Sequence, residues 1–252
     1  MYRVPVPVAW QPMYTRNSYW SFRGNPESGM AMATFILVHG GNMSTDTWNR
    51  LTGRNDYSPG GQLGARYWDG TLSFLAAHGH HTFAPTLADE HDHNLTDHIR
   101  QVNALITGQD LREVILVGHS YGGMVITGVA AGMPERIRRL VYVDAALPDP
   151  GQSLFDIIAA GGRDPFSFPG LEAASAYVEK LQFDTRKITP LPKTYILCTE
   201  SEFAVVTKIA KKKIAAHGES WTYVELPTSH VPMATMPERF NRILLEGAGN
   251  NR

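Results

Sequence analysis

Apolar and polar positions change period repeatedly along the chain, and the changes mark out an alternation of strands and helices. Short apolar runs rich in β-branched residues predict strands: Thr34-Phe-Ile-Leu-Val, His81-Thr-Phe-Ala-Pro, Glu113-Val-Ile-Leu-Val, Val141-Tyr-Val, Tyr195-Ile-Leu-Cys and Trp221-Thr-Tyr-Val-Glu-Leu. Between them apolar residues recur every three or four positions. One helix is expected from about Trp68 to His78, stopped by Gly79 at the usual C-terminal place. Another is expected after a cap at Thr96 or Asp97, with Ile99, Val102, Leu105 and Ile106 on one face. A third aligns Val205, Val206, Ile209 and Ile214 and leaves Lys211, Lys212 and Lys213 as an exposed basic face. The last opens at Pro237 and spaces Phe240, Ile243 and Leu244 helically. The pattern is that of an α/β protein with a mostly parallel central sheet flanked by helices.

Three stretches interrupt the alternation. Residues 1–30 hold two β-like runs, Val4-Pro-Val-Pro-Val and Tyr19-Trp-Ser-Phe, and the prolines confine the first to an edge strand or an extended arm. Thr52 to Arg66 is polar and glycine-rich and reads as a long surface loop near a site mouth. Pro148 to Pro190 carries a Gly-Gly pair, scattered prolines and the aromatics Phe155, Phe166, Phe168, Tyr177 and Phe183. Gly247 to Arg252 reads as a frayed tail. No second domain, repeat or low-complexity segment is visible, so residues 1–252 read as one domain.

The candidate chemistry sits at Gly118-His-Ser120-Tyr121-Gly122, a G-x-S-x-G pattern between an apolar strand and a small-residue helix. A serine hydroxyl becomes a nucleophile when the backbone exposes it and a base takes its proton. A sharp strand-to-helix elbow does the exposing, and it aims the backbone N–H of Tyr121 at a substrate oxygen. Far downstream, His230 lies in a loop after the last predicted strand, where a general base belongs in the chain order serine before histidine.

These segments resemble the α/β-hydrolase fold, and more narrowly the branch of plant methylesterases and related hydroxynitrile lyases. The shared stretches are FILVHGG, ILVGHSYGGMVITGVAAGMPERIRRLVYVDAALPD, YILCTE and SHVPMATMP, over roughly residues 33–50, 68–150 and 192–245. The resemblance implies a serine esterase with Ser120 as nucleophile, His230 as base, and an oxyanion hole made by the N–H groups of Gly41 and Tyr121. It implies that residues 148–190 form a short cap insertion and that the N-terminal segment, about residues 1–30, is extra. The plant chains carry an aspartate at the position of Ser201, which cannot hold a charged imidazole, and a small apolar residue at the position of Asp144. The pair of differences reads as a swap of the carboxylate between neighbouring strand ends. Asp144 is therefore the first candidate for the triad acid, Glu202 the next and Glu200 the third. The lyases carry a lysine just after the base and a threonine in the first oxyanion loop. Val231 and Gly40 stand at those positions here, which favours ester hydrolysis.

Composition narrows the alternatives. At 252 residues and 43% hydrophobic, the chain can bury one large core, and its formal net charge of −1 argues against nucleic acid or an anionic membrane as partner. The single cysteine, Cys198, has no partner for an intrachain disulfide, and no signal peptide or membrane span is visible, so a cytoplasmic location is expected. Asp89-Glu-His-Asp-His93 offers potential metal ligands, but residues so close in sequence cannot all turn to one ion, and a solvated loop at the pocket rim is the expectation. No metal or organic cofactor is called for. The expected partner is a small-molecule ester, and the N-terminal arm makes a homodimer worth testing. Two other functions use the same residues: a small-ligand receptor with little turnover, and a hydrolase of lactones, amides or carbon–carbon bonds.

Overall fold

The computed structural model of the chain describes residues 19–22, 32–41, 44–167, 171, 174–217 and 221–249. Among them the strands are β1 (Tyr19–Phe22), β2 (Thr34–Val38), β3 (His81–Pro85), β4 (Val114–His119), β5 (Ile137–Val143), β6 (Lys193–Cys198) and β7 (Trp221–Leu226). They form one sheet in the order β1-β3-β2-β4-β5-β6-β7. All neighbours are parallel except β1, which runs antiparallel along β3 from Tyr19 opposite Pro85 to Phe22 opposite Thr82. Tyr19–Phe22 is thus an edge strand, whereas the Val4 run lies outside the described residues.

Both faces of the sheet are covered, and the strands show why their sequences lack a polar side. In β2, Ile36 and Val38 enter one core while Phe35 and Leu37 enter the other, all fully buried. The first core takes α3 (Leu95–Gly108), α4 (Gly122–Gly132) and α8 (Ala204–His217). The second takes α2 (Asp69–Ala77) and α10 (Pro237–Gly249). Each fully buried Leu, Ile, Val or Phe contributes about 1.5–3 kcal/mol relative to exposure.

Several local expectations shift once the tertiary contacts are seen. The cap of α3 is Asn94, not Thr96 or Asp97. Its side chain takes the Asp97 N–H, and the Asp97 carboxylate returns the bond to the Asn94 N–H, a reciprocal box. The stretch Thr52 to Arg66 is not loop throughout. It follows α1 (Thr45–Thr52) and runs into a 3-10 helix, Gly64–Trp68, whose Ala65, Tyr67 and Trp68 are buried. Lys213 is not on an exposed face: its ammonium pairs with Asp149 at 3.0 Å and with the Leu147 carbonyl at 2.8 Å. Gly247 to Gly249 remain helical and Ala248 is buried. No helix among the described residues is long and apolar enough to cross a membrane.

The insertion between β5 and β6 holds α5 (Leu154–Ala160), a 3-10 turn at Pro165–Ser167, α6 (Ser175–Val178) and α7 (Thr185–Ile188). Its aromatics divide. Phe155 and Tyr177 are buried and stacked, Phe166 packs edge-on to Phe155 with its far side exposed, and Phe183 packs against the first core. Phe168 lies outside the described residues.

The chain leaves β2 for β3 on one side and returns to β4 on the other. In open α/β sheets ligands bind in the crevice outside the carboxyl ends of the strands at such a reversal. Gly40 and Gly41 follow β2, and Ser120 follows β4.

Candidate active site

Ser120 sits at the turn from β4 into α4 with φ 55°, a left-handed conformation that few non-glycine residues adopt. Its surroundings hold it there. The Ser120 N–H donates to Val143 O at 3.2 Å, while the Ser120 carbonyl accepts from Gly123 N–H at 3.1 Å and Ala146 N–H at 3.0 Å. The flanking glycines serve close approach. A Cβ on Gly118 would stand 2.6 Å from Gly122 O, one on Gly122 2.7 Å from Val38 O, and one on Gly123 2.2 Å from Ala146 O. The elbow therefore presses against β2 and the end of β5, and the Ser120 side chain faces Gly40.

Asp144, at the end of β5, is likewise held at positive φ, 44°, and it is fully buried. One carboxylate oxygen, Oδ1, accepts the Cys198 N–H at 2.9 Å; the other, Oδ2, lies 2.7 Å from His230 Nδ1. Ser201 donates its hydroxyl to the same Oδ2, stands 3.4 Å from His230 Nδ1, and accepts the Phe203 N–H at 3.0 Å. The structure thus brings Asp144, Ser201 and His230 together. The imidazole is held between the rings of His119 and Phe203, with centroids 4.5 and 5.0 Å away. Glu202 lies elsewhere, its exposed carboxylate paired with Arg50 at 2.8 Å. Glu200 is exposed, and its N–H donates to Thr228 O.

Across from this pair lies the loop after β2. The Gly40 N–H donates to the Tyr67 hydroxyl at 2.8 Å. Among the described residues nothing pairs with the N–H groups of Gly41 or Tyr121. The Tyr177 hydroxyl from the cap lies over Gly41, where an added Cβ would stand 2.0 Å from it. That hydroxyl donates to Glu90 Oε1 at 2.9 Å, and the Tyr177 ring meets Tyr121 edge-on at 5.2 Å.

Buried histidines line this side in neutral form. His39 donates Nδ1–H to Gly40 O at 2.7 Å and accepts the Leu87 N–H on Nε2 at 2.8 Å; burial pulls its pKa down to about 4. His98 donates Nε2–H to Ala88 O and accepts the Tyr121 hydroxyl on Nδ1, and burial again lowers its pKa. Burial holds the Tyr67 and Tyr121 phenols well above their usual range.

Of the acidic loop Asp89 to His93, Glu90 turns to the cap, while the Asp89 carboxylate takes the His91 N–H and ring within the loop. Reasoning from the sequence missed Tyr67, the ring of His119, Glu90, and Ser201 as a partner of the acid. His119 was within sight, inside the G-x-S-x-G motif itself, but nothing in its spacing announced a role.

A half-buried serine at an elbow on the sheet reversal, with a buried carboxylate on an imidazole opposite, defines a hydrolase-type site on a doubly covered parallel sheet. The chain belongs to the alpha/beta hydrolase family, whose model matches residues 35–243. It is 38% identical over 136 residues to a carbendazim hydrolyzing esterase of Nocardioides sp. (strain SG-4G), a match covering 50% of this chain and 48% of that one. It is 32% identical over 123 residues to polyneuridine aldehyde esterase of Rauvolfia serpentina, covering 48% and 41%. Plant methylesterases are among its relatives as well. The matches span about half the length of these curated relatives. An extracellular alpha/beta-hydrolase from a Paenibacillus species, described as sharing structural and functional homology with tobacco Salicylic Acid Binding Protein 2, superposes with a TM-score of 0.65. It is 23% identical, and the match covers 87% of this chain and all of that one.

Proposed function

We propose that the protein is a serine hydrolase that cleaves a small-molecule carboxylic ester through a Ser120–His230–Asp144 triad and an acyl-enzyme intermediate. The observation that carries the reading is the 2.7 Å contact from the buried Asp144 Oδ2 to His230 Nδ1. A buried carboxylate there accepts Nδ1–H, leaves Nε2 unprotonated as a base, and stabilises the imidazolium that forms. Relatives named as esterases support the class of substrate.

In this mechanism His230 Nε2 takes the Ser120 proton as Oγ attacks the ester carbonyl. Among the described residues Ser120 Oγ has no hydrogen-bond partner, and in free enzymes this contact is often long and tightens on the bound substrate. The N–H groups of Gly41 and Tyr121 receive the oxyanion, each donor contributing about 3–4 kcal/mol by analogy with side-chain donors. Gly40 is excluded as a donor because its N–H is committed to Tyr67. His230 then protonates the leaving alcohol, and a water activated in the same way releases the acid. The cap, residues 148–190, roofs the acyl side through Tyr177 and Phe155.

The test is hydrolysis of a p-nitrophenyl ester series by the wild type and by Ser120→Ala. Chain-length-dependent turnover that disappears in the variant is expected. Equal turnover in both overturns the nucleophile assignment, and saturable ligand binding with no turnover in either favours a binding protein instead.

A further inference from the structure

His119 stands next to the nucleophile with no exposed surface, and both of its ring nitrogens are engaged. Nε2 lies 2.7 Å from the backbone oxygen of His230, which can only accept, so Nε2 carries the proton. Nδ1 is then an acceptor, and the Tyr67 hydroxyl at 2.8 Å donates to it. With its proton committed, the Tyr67 oxygen accepts from Gly40 N–H, also at 2.8 Å. The result is one directional chain: Gly40 N–H to Tyr67 oxygen, Tyr67 O–H to His119 Nδ1, His119 Nε2–H to His230 O. Every donor meets one acceptor, and every link is buried.

The two ends of this chain follow strands that do not pair directly with each other. Gly40 follows β2 and His230 follows β7, with β4, β5 and β6 in between. We propose that Tyr67 and His119 are positioning residues, a polar strut that fixes the oxyanion loop at Gly40–Gly41 relative to the loop carrying His230. The proposal rests on the reading of Ser120 and His230 as nucleophile and base. Its components are themselves held. The Tyr67 ring packs on Trp68 and Trp48 with centroids 4.8 and 5.9 Å away, which fixes where the hydroxyl points. Burial keeps the His119 imidazole neutral, so Nδ1 stays open to the Tyr67 proton and no second cation stands beside the His230 imidazolium. Directional bonds across a buried gap resist small displacements in a way that apolar packing does not, and displacements of about 1 Å can cost about 100-fold in rate.

The experiment compares Tyr67→Phe, His119→Leu, His119→Gln, the Tyr67→Phe/His119→Leu double variant and Ser120→Ala in the full chain. The readouts are kcat and KM on p-nitrophenyl acetate, with thermal unfolding measured alongside. Tyr67→Phe and His119→Leu are each expected to lower kcat roughly 10–100-fold with KM changed less than about threefold, because the lost alignment matters only in the transition state. The double variant is expected to be no worse than the weaker single one, since both break the same chain. His119→Gln is expected to recover most of the rate: its amide N–H can donate to His230 O while its oxygen accepts from Tyr67. Wild-type kcat in Tyr67→Phe, fully additive losses, or a His119→Leu loss that glutamine does not recover would each overturn the strut. In all three cases an inactive Ser120→Ala leaves the hydrolase reading standing, whereas turnover surviving in Ser120→Ala removes that reading itself.

Discussion

The two sides of the proposed site, the acid side and the oxyanion side, are built on opposite electrostatic plans. On the acid side, one buried carboxylate, Asp144, collects Cys198 N–H, Ser201 O–H and His230 Nδ1. On the oxyanion side, His39, His98, His119, Tyr67 and Tyr121 are buried in uncharged form and spend their hydrogen bonds on each other or on backbone. A charge is useful where an imidazolium must form. Beside an oxyanion, fixed neutral dipoles in a dry site do more, since they need no reorganisation as the charge develops. The comparison teaches that the first region depends on which atoms carry protons, and the second on where the backbone lies.

The sharpest way to break the acid side is Asp144→Asn. Because the Oδ1 position must still accept the Cys198 N–H, the amide NH2 falls at the Oδ2 position and faces His230 Nδ1. The imidazole is then forced into the wrong tautomer, and kcat is expected to fall about 10⁴-fold. Adding Ser201→Asp restores at least about 10-fold of this, since residue 201 already reaches Nδ1; no recovery would show that the position cannot serve as acid. On the oxyanion side, Gly41→Ala drives a Cβ into the buried Tyr177 ring and hydroxyl. Displacement of the adjacent donor is expected to cost about 10²–10³ in kcat. Steady-state kinetics with Tyr177→Ala added should show partial recovery, and a silent Gly41→Ala would remove Gly41 from the hole.

The neutral histidines give a pH test of the same contrast. His39 has a pKa of about 4 in the folded protein against about 6.5 unfolded, so between those values the unfolded chain binds more protons. Stability is complete above about pH 6.5 and falls as the pH approaches 4, with His39 alone removing about 2–3 kcal/mol by pH 4.5. His98 and His119 act in the same direction. Urea midpoints at pH 7.5 and 4.5 measure it, and equal midpoints would mean these groups are not held neutral. A smaller effect is expected from Ser201→Ala, about 3–10-fold in kcat, because it removes one donor from a carboxylate that keeps two others. Glu202→Gln should leave kcat unchanged, for its carboxylate belongs to Arg50 at the surface; a large loss there would reopen the choice of acid.

What the chain's pattern announced, and what it hid, follow from how local each signal is. The strands Thr34–Val38 and His81–Pro85 begin and end where their apolar runs do, because a strand buried on both faces leaves no polar interruption to misread. Ser120 and Asp144 were visible because each occupies a strand end with a recognisable neighbourhood. The Tyr67–His119 chain was not, since its members come from a 3-10 helix, two strand ends and a late loop, and no period connects them. The Asn94 cap was missed for a related reason: Asn94, Thr96 and Asp97 can all cap, and only the reciprocal bond between the first and third decides. Lys213 looked like part of a solvated basic face because its partners, Asp149 and the Leu147 carbonyl, lie at the distant start of the cap insertion.

The strand order has a consequence during synthesis. Gly41, Ser120 and Asp144 leave the ribosome early and lie on neighbouring parallel strands, so the elbow can form while the chain is still growing. The proposed base comes last, after β7, and its loop is held by α9 (Pro232–Thr235) and α10. A nascent chain therefore carries a serine with no group to take its proton. At about 5–20 residues per second, the proposed nucleophile would stay chemically silent for several seconds until the final strand docks. The order of the proposed triad along the chain would act as a delay that keeps a half-made hydrolase from reacting with what surrounds it.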